Sequence, residues 1–105
     1  QEDFHREMLV KIHNSYRKII AICDSDIISK TFEEGIRQII IGENFFRGQE
    51  KSEEEVLEIM EKASAEDATF NIVGNQSVKL ALKAGLIKPK GIIKIQGVSI
   101  ALSLL

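Results

Sequence analysis

One stretch decides the fold of this chain: residues 69–85, which read TFNIVGNQSVKLALKAG. Its first part, Thr69–Val73, is rich in β-branched and aromatic residues and predicts a short strand. Gly74 predicts a tight turn, and the helix Gln76–Ala84 ends at Gly85, a residue type common just past the last turn of a helix. The stretch is therefore predicted to be a strand that leads directly into a helix.

Two more strands follow this helix toward the end of the chain. Ile92–Ile95 and Val98–Leu104 are apolar runs joined by the turn residues Gln96–Gly97. Residues 69–95 then form a strand–helix–strand unit. Its crossover should be right-handed, and its two strands should be parallel.

The first half of the chain predicts a hairpin, a third strand and a second helix. Strands Leu9–His13 and Lys18–Cys23 flank turn residues and should pair antiparallel. Ile36–Ile41 is predicted to be another strand. Ser52–Ala65 is the clearest helix, because Ser52 and the glutamate three residues later form a capping box.

These elements predict a single α/β (α+β) domain. We expect a compact fold with a mixed β-sheet of about five to six strands, two main helices and one βαβ unit. The domain is assigned to residues 8–105, and residues 1–7 are interpreted as a polar leader or extension. A chain of 105 residues is long enough to bury a core without disulfides or structural metals.

The composition indicates a protein of a reducing compartment. Cys23 is the only cysteine, so the chain forms no internal disulfide and no cysteine-rich zinc site. Residues 1–7 lack the features of a signal peptide, and no apolar run approaches the roughly 20 residues that cross a bilayer. We therefore expect a cytoplasmic protein with no membrane partner.

The charged residues are divided unevenly along the chain. All 16 acidic residues and nine of the 14 basic ones lie in residues 1–67, whereas residues 68–105 hold five lysines and no acid. The five are Lys79, Lys83, Lys88, Lys90 and Lys94. Such a basic face can bind RNA or a ribonucleoprotein. The alternative is that these lysines only solvate one helix and two turns.

The turn after the strand Thr69–Val73 is a candidate anion site. Its residues are Gly74, Asn75, Gln76 and Ser77, with Lys79 close behind. The free N–H groups and the positive dipole at a helix start can hold a phosphate or a carboxylate. The simpler alternative is that Asn75 only caps its own helix. The sequence has no P-loop and no dinucleotide fingerprint, and no cofactor is predicted.

The segment Asp24–Ser25–Asp26 permits two interpretations. We favour a cap for a short helical turn that follows it. Alternatively, its two aspartates could combine with Glu33 and Glu34 to bind Mg²⁺ or Ca²⁺ through oxygen ligands. The sequence shows only proximity along the chain, so no metal site is assigned.

His13 and Cys23 lie on strands that are predicted to pair, and a Cys–His pair can act as a nucleophile and its base. A cysteine inside an apolar strand is more simply an inert packing residue. No catalytic residue is therefore assigned.

The predicted loop 44–48 contains two adjacent aromatic residues and an arginine: Phe45, Phe46 and Arg47. These side chains could stack on bases or contact a protein partner. Two adjacent aromatics could equally anchor the loop to the core.

Four blocks of sequence within residues 8–101 carry a resemblance to a known family. They are Asp24…Lys30–Thr31–Phe32–Glu33–Glu34–Gly35, Phe45–Phe46–Arg47–Gly48, Asn71–Ile72–Val73–Gly74…Ser77–Val78…Ala84–Gly85–Leu86 and Ile95–Gln96–Gly97–Val98…Ala101. In this order they resemble the small archaeal family filed as domain of unknown function 424. The resemblance implies a compact α/β domain of archaeal, cytoplasmic origin, and it implies no established activity.

The chain departs from the family pattern at two places. Ser29 stands where the family usually has glycine, and Ser99–Ile100 stands where it usually has Pro–His. A site that used this histidine in relatives would be missing here.

Three functions of different classes fit the sequence. We favour a non-catalytic binding protein that contacts RNA or a ribonucleoprotein of the translation or RNA-processing apparatus through its lysines. The second is a domain or enzyme that binds a phosphorylated or carboxylated metabolite at Gly74–Ser77. The third is a protein–protein adaptor that docks through a sheet edge or the Phe45–Phe46 loop, or a homodimer paired through the C-terminal strand.

Overall fold

The computed structural model describes residues 7–103, so the predictions for residues 1–6 and for Leu104 lie outside the described residues. The main sheet contains β1 (Met8–His13), β2 (Ile19–Asp24), β5 (Gln49–Lys51), β6 (Thr69–Val73), β7 (Ile93–Ile95) and β8 (Val98–Ser103). A separate hairpin contains β3 (Thr31–Glu34) and β4 (Arg37–Ile40). The helices are α1 (Glu43–Phe46), α2 (Glu53–Ala65) and α3 (Asn75–Lys83), with 3₁₀ turns at Ser25–Ile27 and Pro89–Gly91.

The main sheet has the strand order β5-β1-β2-β6-β8-β7 and is mixed, as predicted. β2 and β6 form its parallel pair, and the other neighbours are antiparallel. β6 and β7 run in the same direction, as the strand–helix–strand unit requires, but β8 lies between them. The sequence predicted the hairpin β7–β8 and did not show that β8 would insert between the two parallel strands.

The two long helices cover one face of the sheet, the helix-covered face. Strand residues such as Ile22, Phe70 and Ile72 pack there against Val56 and Met60 and against residues of α3. Alternate residues of each strand point to this face, because side chains along a strand alternate. The contacts form the larger of the two hydrophobic clusters and confirm the predicted helix layer.

The start of α2 confirms the predicted capping box. Glu55 donates its backbone N–H to Ser52 Oγ at 3.3 Å, and Ser52 donates its backbone N–H to Glu55 Oε1 at 2.9 Å. Ser52 donates both its backbone N–H and its hydroxyl to the Glu55 carboxylate, and these two bonds lower the pKa of Glu55. Both orphan donors at this helix start are therefore satisfied locally.

The opposite face of the sheet, the hairpin-covered face, is covered in part by β3 and β4. The predicted strand Ile36–Ile41 is confirmed as β4, but the sequence did not predict its partner β3, with which residues 37–40 pair antiparallel. Gly35 has φ +64°, which supplies the left-handed residue that the tight turn requires. Phe32 and Ile39 of this hairpin pack on a second cluster that includes Cys23.

Gln96 joins this hairpin to the main sheet. In the two-residue turn between β7 and β8, Gln96 has φ +51° and Gly97 has φ +81°. Gln96 Oε1 accepts a hydrogen bond from the Glu33 backbone N–H at 2.8 Å. Its own backbone N–H donates to Glu34 Oε1 at 2.6 Å. Gln96 thus ties the β7–β8 turn to β3.

We predict that Gln96→Ala loosens the β3–β4 hairpin without unfolding the domain. The variant loses the side-chain bond to Glu33, worth about 1 kcal/mol, so local opening should become about fivefold more frequent. Hydrogen–deuterium exchange of the β3 and β4 amides measures this opening. The control is Gln38→Ala, which removes an amide–carboxylate bond of 2.7 Å to Glu33 inside the hairpin. Equal exchange in both variants would contradict the role of Gln96.

Candidate functional site

The helix start predicted to bind an anion is already bound to a carboxylate of the chain. Because β2 and β6 are parallel neighbours with Cys23 opposite Val73, the next residues, Asp24 and Gly74, lie side by side. Asp24 Oδ2 accepts the Gln76 backbone N–H at 3.1 Å. Asp24 Oδ1 accepts the Ser77 backbone N–H at 2.8 Å and the Ser77 hydroxyl at 2.6 Å.

Gly74 makes this approach possible. It has φ +117°, and a Cβ at this position would lie 2.4 Å from Asp24 Cγ. Only glycine adopts this backbone readily and leaves room for the carboxylate. Asp24 therefore caps α3 from a neighbouring strand, and an external anion would have to displace it. Anion binding at Gly74–Ser77 stays a prediction.

Two capping predictions from the sequence are wrong. Asp24 makes no side-chain bond to the 3₁₀ turn that follows it, because its carboxylate faces α3. Asn75 is not the N-cap of α3; Gly74 is, and Asn75 is the first helical residue. Asn75 Oδ1 instead accepts the Ser99 backbone N–H at 2.9 Å, which fixes β8 to the start of α3.

The departures from the family pattern now have structural consequences. The proline that the resemblance implies at position 99 would lack the N–H that Ser99 donates to Asn75, so this bond requires a residue other than proline here. Ser29 has φ +71°, a region where glycine is more at ease. Ser29 Oγ donates to Glu43 Oε2 at 2.5 Å, which ties this strained position to α1.

The five lysines of the acid-free segment lie on consecutive elements that adjoin α3. We call Lys79, Lys83, Lys88, Lys90 and Lys94 the lysine face. Two of them are on α3, two are in and next to the 3₁₀ turn that follows, and one is on β7. All five are exposed. Within residues 7–103, none of their ammonium groups forms a salt bridge.

Lys94 belongs to this surface through the sheet register. It lies opposite Ser99 in the β7–β8 ladder, and Ser99 is bonded to Asn75 at the start of α3. Residues directly opposite in an antiparallel pair point to the same face, so Lys94 is on the helix-covered face. Lys94 therefore flanks one end of α3, and Lys88 follows the other end.

An open groove runs between α2 and α3 beside the lysine face. Its lining includes Lys79 and Lys83, which are four residues apart and share one side of α3. Asn75, Gln76, Leu80 and Glu53 complete the lining. The groove therefore offers two cations, two amides and one carboxylate at its edge.

The predicted loop 44–48 is partly helical, which corrects the sequence interpretation. Glu43–Phe46 forms α1, and Phe46 is buried in the second cluster. Phe45 stacks on the His13 ring at a centroid distance of 4.5 Å. Arg47 donates two hydrogen bonds to Glu43, at 2.9 and 3.1 Å. Phe46 thus anchors α1 to the core. Arg47 is bonded to the exposed carboxylate of Glu43, and this bond lowers the pKa of Glu43.

His13 and Cys23 do not meet. His13 pairs with Ile19 and Cys23 pairs with Leu9, so they are four strand residues apart, about 13 Å. Within residues 7–103, no group of three or more His, Cys, Asp and Glu residues could hold a metal ion. Asp24 and Asp26 therefore do not converge with Glu33 and Glu34.

Burial makes the Cys23 thiol hard to ionise. Desolvation, with a smaller contribution from the Asp24 charge, raises the pKa of Cys23 to about 12. Its ordinary value is 9.0, so above this pH the unfolded chain releases a proton that the folded chain keeps. The stability that Cys23 contributes is thus complete below pH 9 and is lost as pH rises toward 12.

We predict that the free energy of unfolding falls less steeply above about pH 9 in Cys23→Ala than in the parent chain. The alanine has no thiol, so that part of the alkaline loss disappears although a small cavity lowers stability at all pH values. Urea unfolding at about pH 8 and about pH 10 measures the difference. Parallel curves for the two proteins would contradict the raised pKa.

A family model described as a protein of unknown function (DUF424) matches residues 12–103. The chain belongs to this family. This result confirms the resemblance seen in the sequence. No curated protein matches the chain.

The fold is also similar to that of a solved structure, an uncharacterized conserved protein from the archaeon Methanopyrus kandleri. The two share 22% sequence identity with a TM-score of 0.79, over 91% of this chain and 89% of the other. At this identity the likeness shows the shared fold alone. Among residues 7–103, no helix is both long and apolar enough to cross a membrane.

The capping of α3 by Asp24, the main structural feature of the site, was not predicted from the sequence. An aspartate at the end of one strand and a glycine at the end of another can indicate such a cap, provided that the two strands are neighbours. The sequence predicted that β6 and β7 run parallel but did not predict that β2 is the neighbour of β6, so nothing placed Asp24 beside Gly74.

Proposed function

We propose that the protein is a non-catalytic domain that binds RNA through its lysine face. The observation that supports this most is the state of the five lysines: all are exposed, and none pairs with an acid among residues 7–103. A group of unneutralised ammonium ions on adjoining elements attracts phosphates over the range of a Debye length, about 8 Å at physiological salt.

The geometry favours this function over binding of a small anion at Gly74–Ser77. The two helix N–H groups that would hold such an anion are bonded to Asp24. The groove beside them is open along the helix surface, so its shape would not surround a small ligand. The lysines, by contrast, have no ion-pair partner within the described residues 7–103 to give up before they contact a phosphate.

The proposal predicts binding that weakens steeply with salt. Each phosphate contact that releases a counterion contributes about −0.7 to −0.9 to the slope of log K against log salt concentration. Four to five contacts by the lysine face therefore give a slope of about −3 to −4.5. Fluorescence anisotropy of a labelled RNA at several salt concentrations measures this slope.

The charge-reversal variant Lys79→Glu, Lys83→Glu, Lys88→Glu, Lys90→Glu tests the location of the contacts. It should lose RNA binding at low salt while its circular dichroism and unfolding midpoint stay close to those of the parent, because these side chains are exposed.

A matched control reverses four other basic side chains, with the same change in net charge: Lys30→Glu, Arg37→Glu, Lys51→Glu, Lys62→Glu. It should retain most of the binding, with a modest loss from the lower net charge. Equal loss in both variants would show that net charge alone attracts the RNA. That result, or full binding by the lysine-face variant, contradicts the proposal.

A further inference from the structure

Resting on the RNA-binding function proposed above, we infer that the RNA held by the lysine face is double-stranded and is recognised through its phosphates, independently of base sequence. The inference rests on the chemistry of the lysine side chains of this surface and on the location of the aromatic side chains elsewhere in the fold.

The elements that carry the lysine face contain no side chain that stacks on bases. From Gly74 to the end of the chain there is no aromatic residue and no arginine. Proteins that bind single strands rely on such side chains, and each base stacked on an aromatic ring contributes about 1–3 kcal/mol. The aromatic residue before this segment, Phe70, is buried in the core.

Among residues 7–103, the exposed aromatic side chains lie on other surfaces. Phe45 stacks on His13, a residue of the hairpin-covered face, opposite to the face that α3 covers. Tyr16 is fully exposed in the turn between β1 and β2. The groove that Tyr16 lines contains Glu66 and Asp67 beside Arg17 and Lys18, so its charges balance and it lacks the excess positive charge of the lysine face.

A lysine side chain suits the phosphates of a duplex better than the exposed bases of a single strand. Its ammonium is a point charge without the planar fork that reads guanine edges or stacks on a base. A duplex presents its phosphate charges at a higher density than a single strand, and each contact releases more counterion. Ammonium groups held on a helix, a tight turn and a strand therefore gain most from the dense phosphates of a duplex.

The capping of α3 also favours recognition through phosphates over recognition of base edges. The N–H groups of Gln76 and Ser77 are bonded to Asp24, so these two donors are not available to base edges or to a terminal phosphate. Recognition then depends on the lysine side chains, which contact phosphates. Such contacts carry no sequence information.

The test compares a duplex RNA of about 16 base pairs, a length that one duplex-binding domain can span, with an unstructured single strand of the same length. We expect the duplex to bind at least tenfold more tightly at the same salt concentration. Two duplexes of unrelated sequence should bind with affinities within about twofold of each other. A single strand that binds as tightly as the duplex, or a clear preference between the two duplexes, overturns the inference and leaves RNA binding intact. Failure to bind any RNA at low salt overturns the proposed function itself.

The variants Tyr16→Ala and Phe45→Ala provide an independent check. Neither side chain is part of the lysine face, and we expect the affinity for the single strand and for the duplex to stay within twofold of the parent in both variants. A tenfold loss of single-strand affinity in either variant would show that bases stack on that ring and would contradict recognition through phosphates alone.

Discussion

Asp24→Ala is expected to lower the free energy of unfolding by about 2–4 kcal/mol. The substitution removes the acceptor of three hydrogen bonds, two from the start of α3 and one from the Ser77 hydroxyl. Ser77 is 0% exposed, so water does not replace the lost partner without opening the structure. A buried hydroxyl that loses its partner bears the full cost of its desolvation. Urea unfolding followed by circular dichroism measures the change.

Asp26→Ala is the matched control, because Asp26 is an exposed aspartate two residues away in the same turn. It should change the free energy of unfolding by less than about 0.5 kcal/mol. A third variant, Ser77→Ala, removes only the hydroxyl bond and should fall between the two. If Asp24→Ala were as stable as Asp26→Ala, the carboxylate would not be the cap of α3.

Gly74→Ala is expected to lower the free energy of unfolding by about 2–4 kcal/mol, through a different cause. An alanine at φ +117° is strained whatever the space around it, which alone costs about 1–3 kcal/mol. Its Cβ would also lie 2.4 Å from Asp24 Cγ, so the carboxylate must move away from the helix start. The same unfolding measurement applies.

Gly42→Ala separates these causes from the general effect of replacing glycine. Gly42 has φ −74°, and a Cβ there would meet nothing within 4 Å. This variant should be as stable as the parent or more stable by up to about 1 kcal/mol, because alanine reduces the freedom of the unfolded chain. The double variant Asp24→Ala, Gly74→Ala should lose less than the sum of its parts, since the clash needs both side chains. Simple additivity would contradict the contact.

The elements with strong local signals were predictable from the sequence. The capping box at Ser52, the hairpin of β1 and β2 and the strand–turn–helix at Thr69–Lys83 were all found, because each depends on residues close together in the chain. The glycine at the end of α3 was also predicted correctly: Gly85 has φ +78°, and the Leu86 N–H donates to the Ala81 carbonyl at 3.0 Å.

The errors occur where the outcome depends on distant residues. The strand in Ile36–Ile41 was predicted, but its partner β3 was missed. In this run only Ile41 is fully buried, because the run forms half of a surface hairpin. Gln96 adopts a left-handed backbone, a region usually left to glycine and asparagine. Its two bonds to β3 offset this strain, and their partners lie about 60 residues away.

Part of the candidate site was predictable from the sequence, and part required the structure. The five lysines could be named from the sequence, because the absence of acids from residues 68–105 is visible there. Their exposure, and the absence of ion-pair partners for them in the described part of the chain, depend on the packing of α3 against the sheet and required the structure. The sequence also did not show that the N–H groups at the start of α3 are already bonded, because their partner Asp24 lies 50 residues before Gly74.

The central claim, that the lysine face binds RNA, is tested most directly by following backbone amide NMR signals during titration with a duplex RNA of about 16 base pairs. We predict progressive shifts along α3, the segment 88–91 and β7, with little change on the β3–β4 hairpin. Raising the salt concentration should reverse the shifts, because phosphate contacts release counterions. Shifts that cluster on the hairpin or on α1, or no shifts at low salt, would contradict the assignment of this surface.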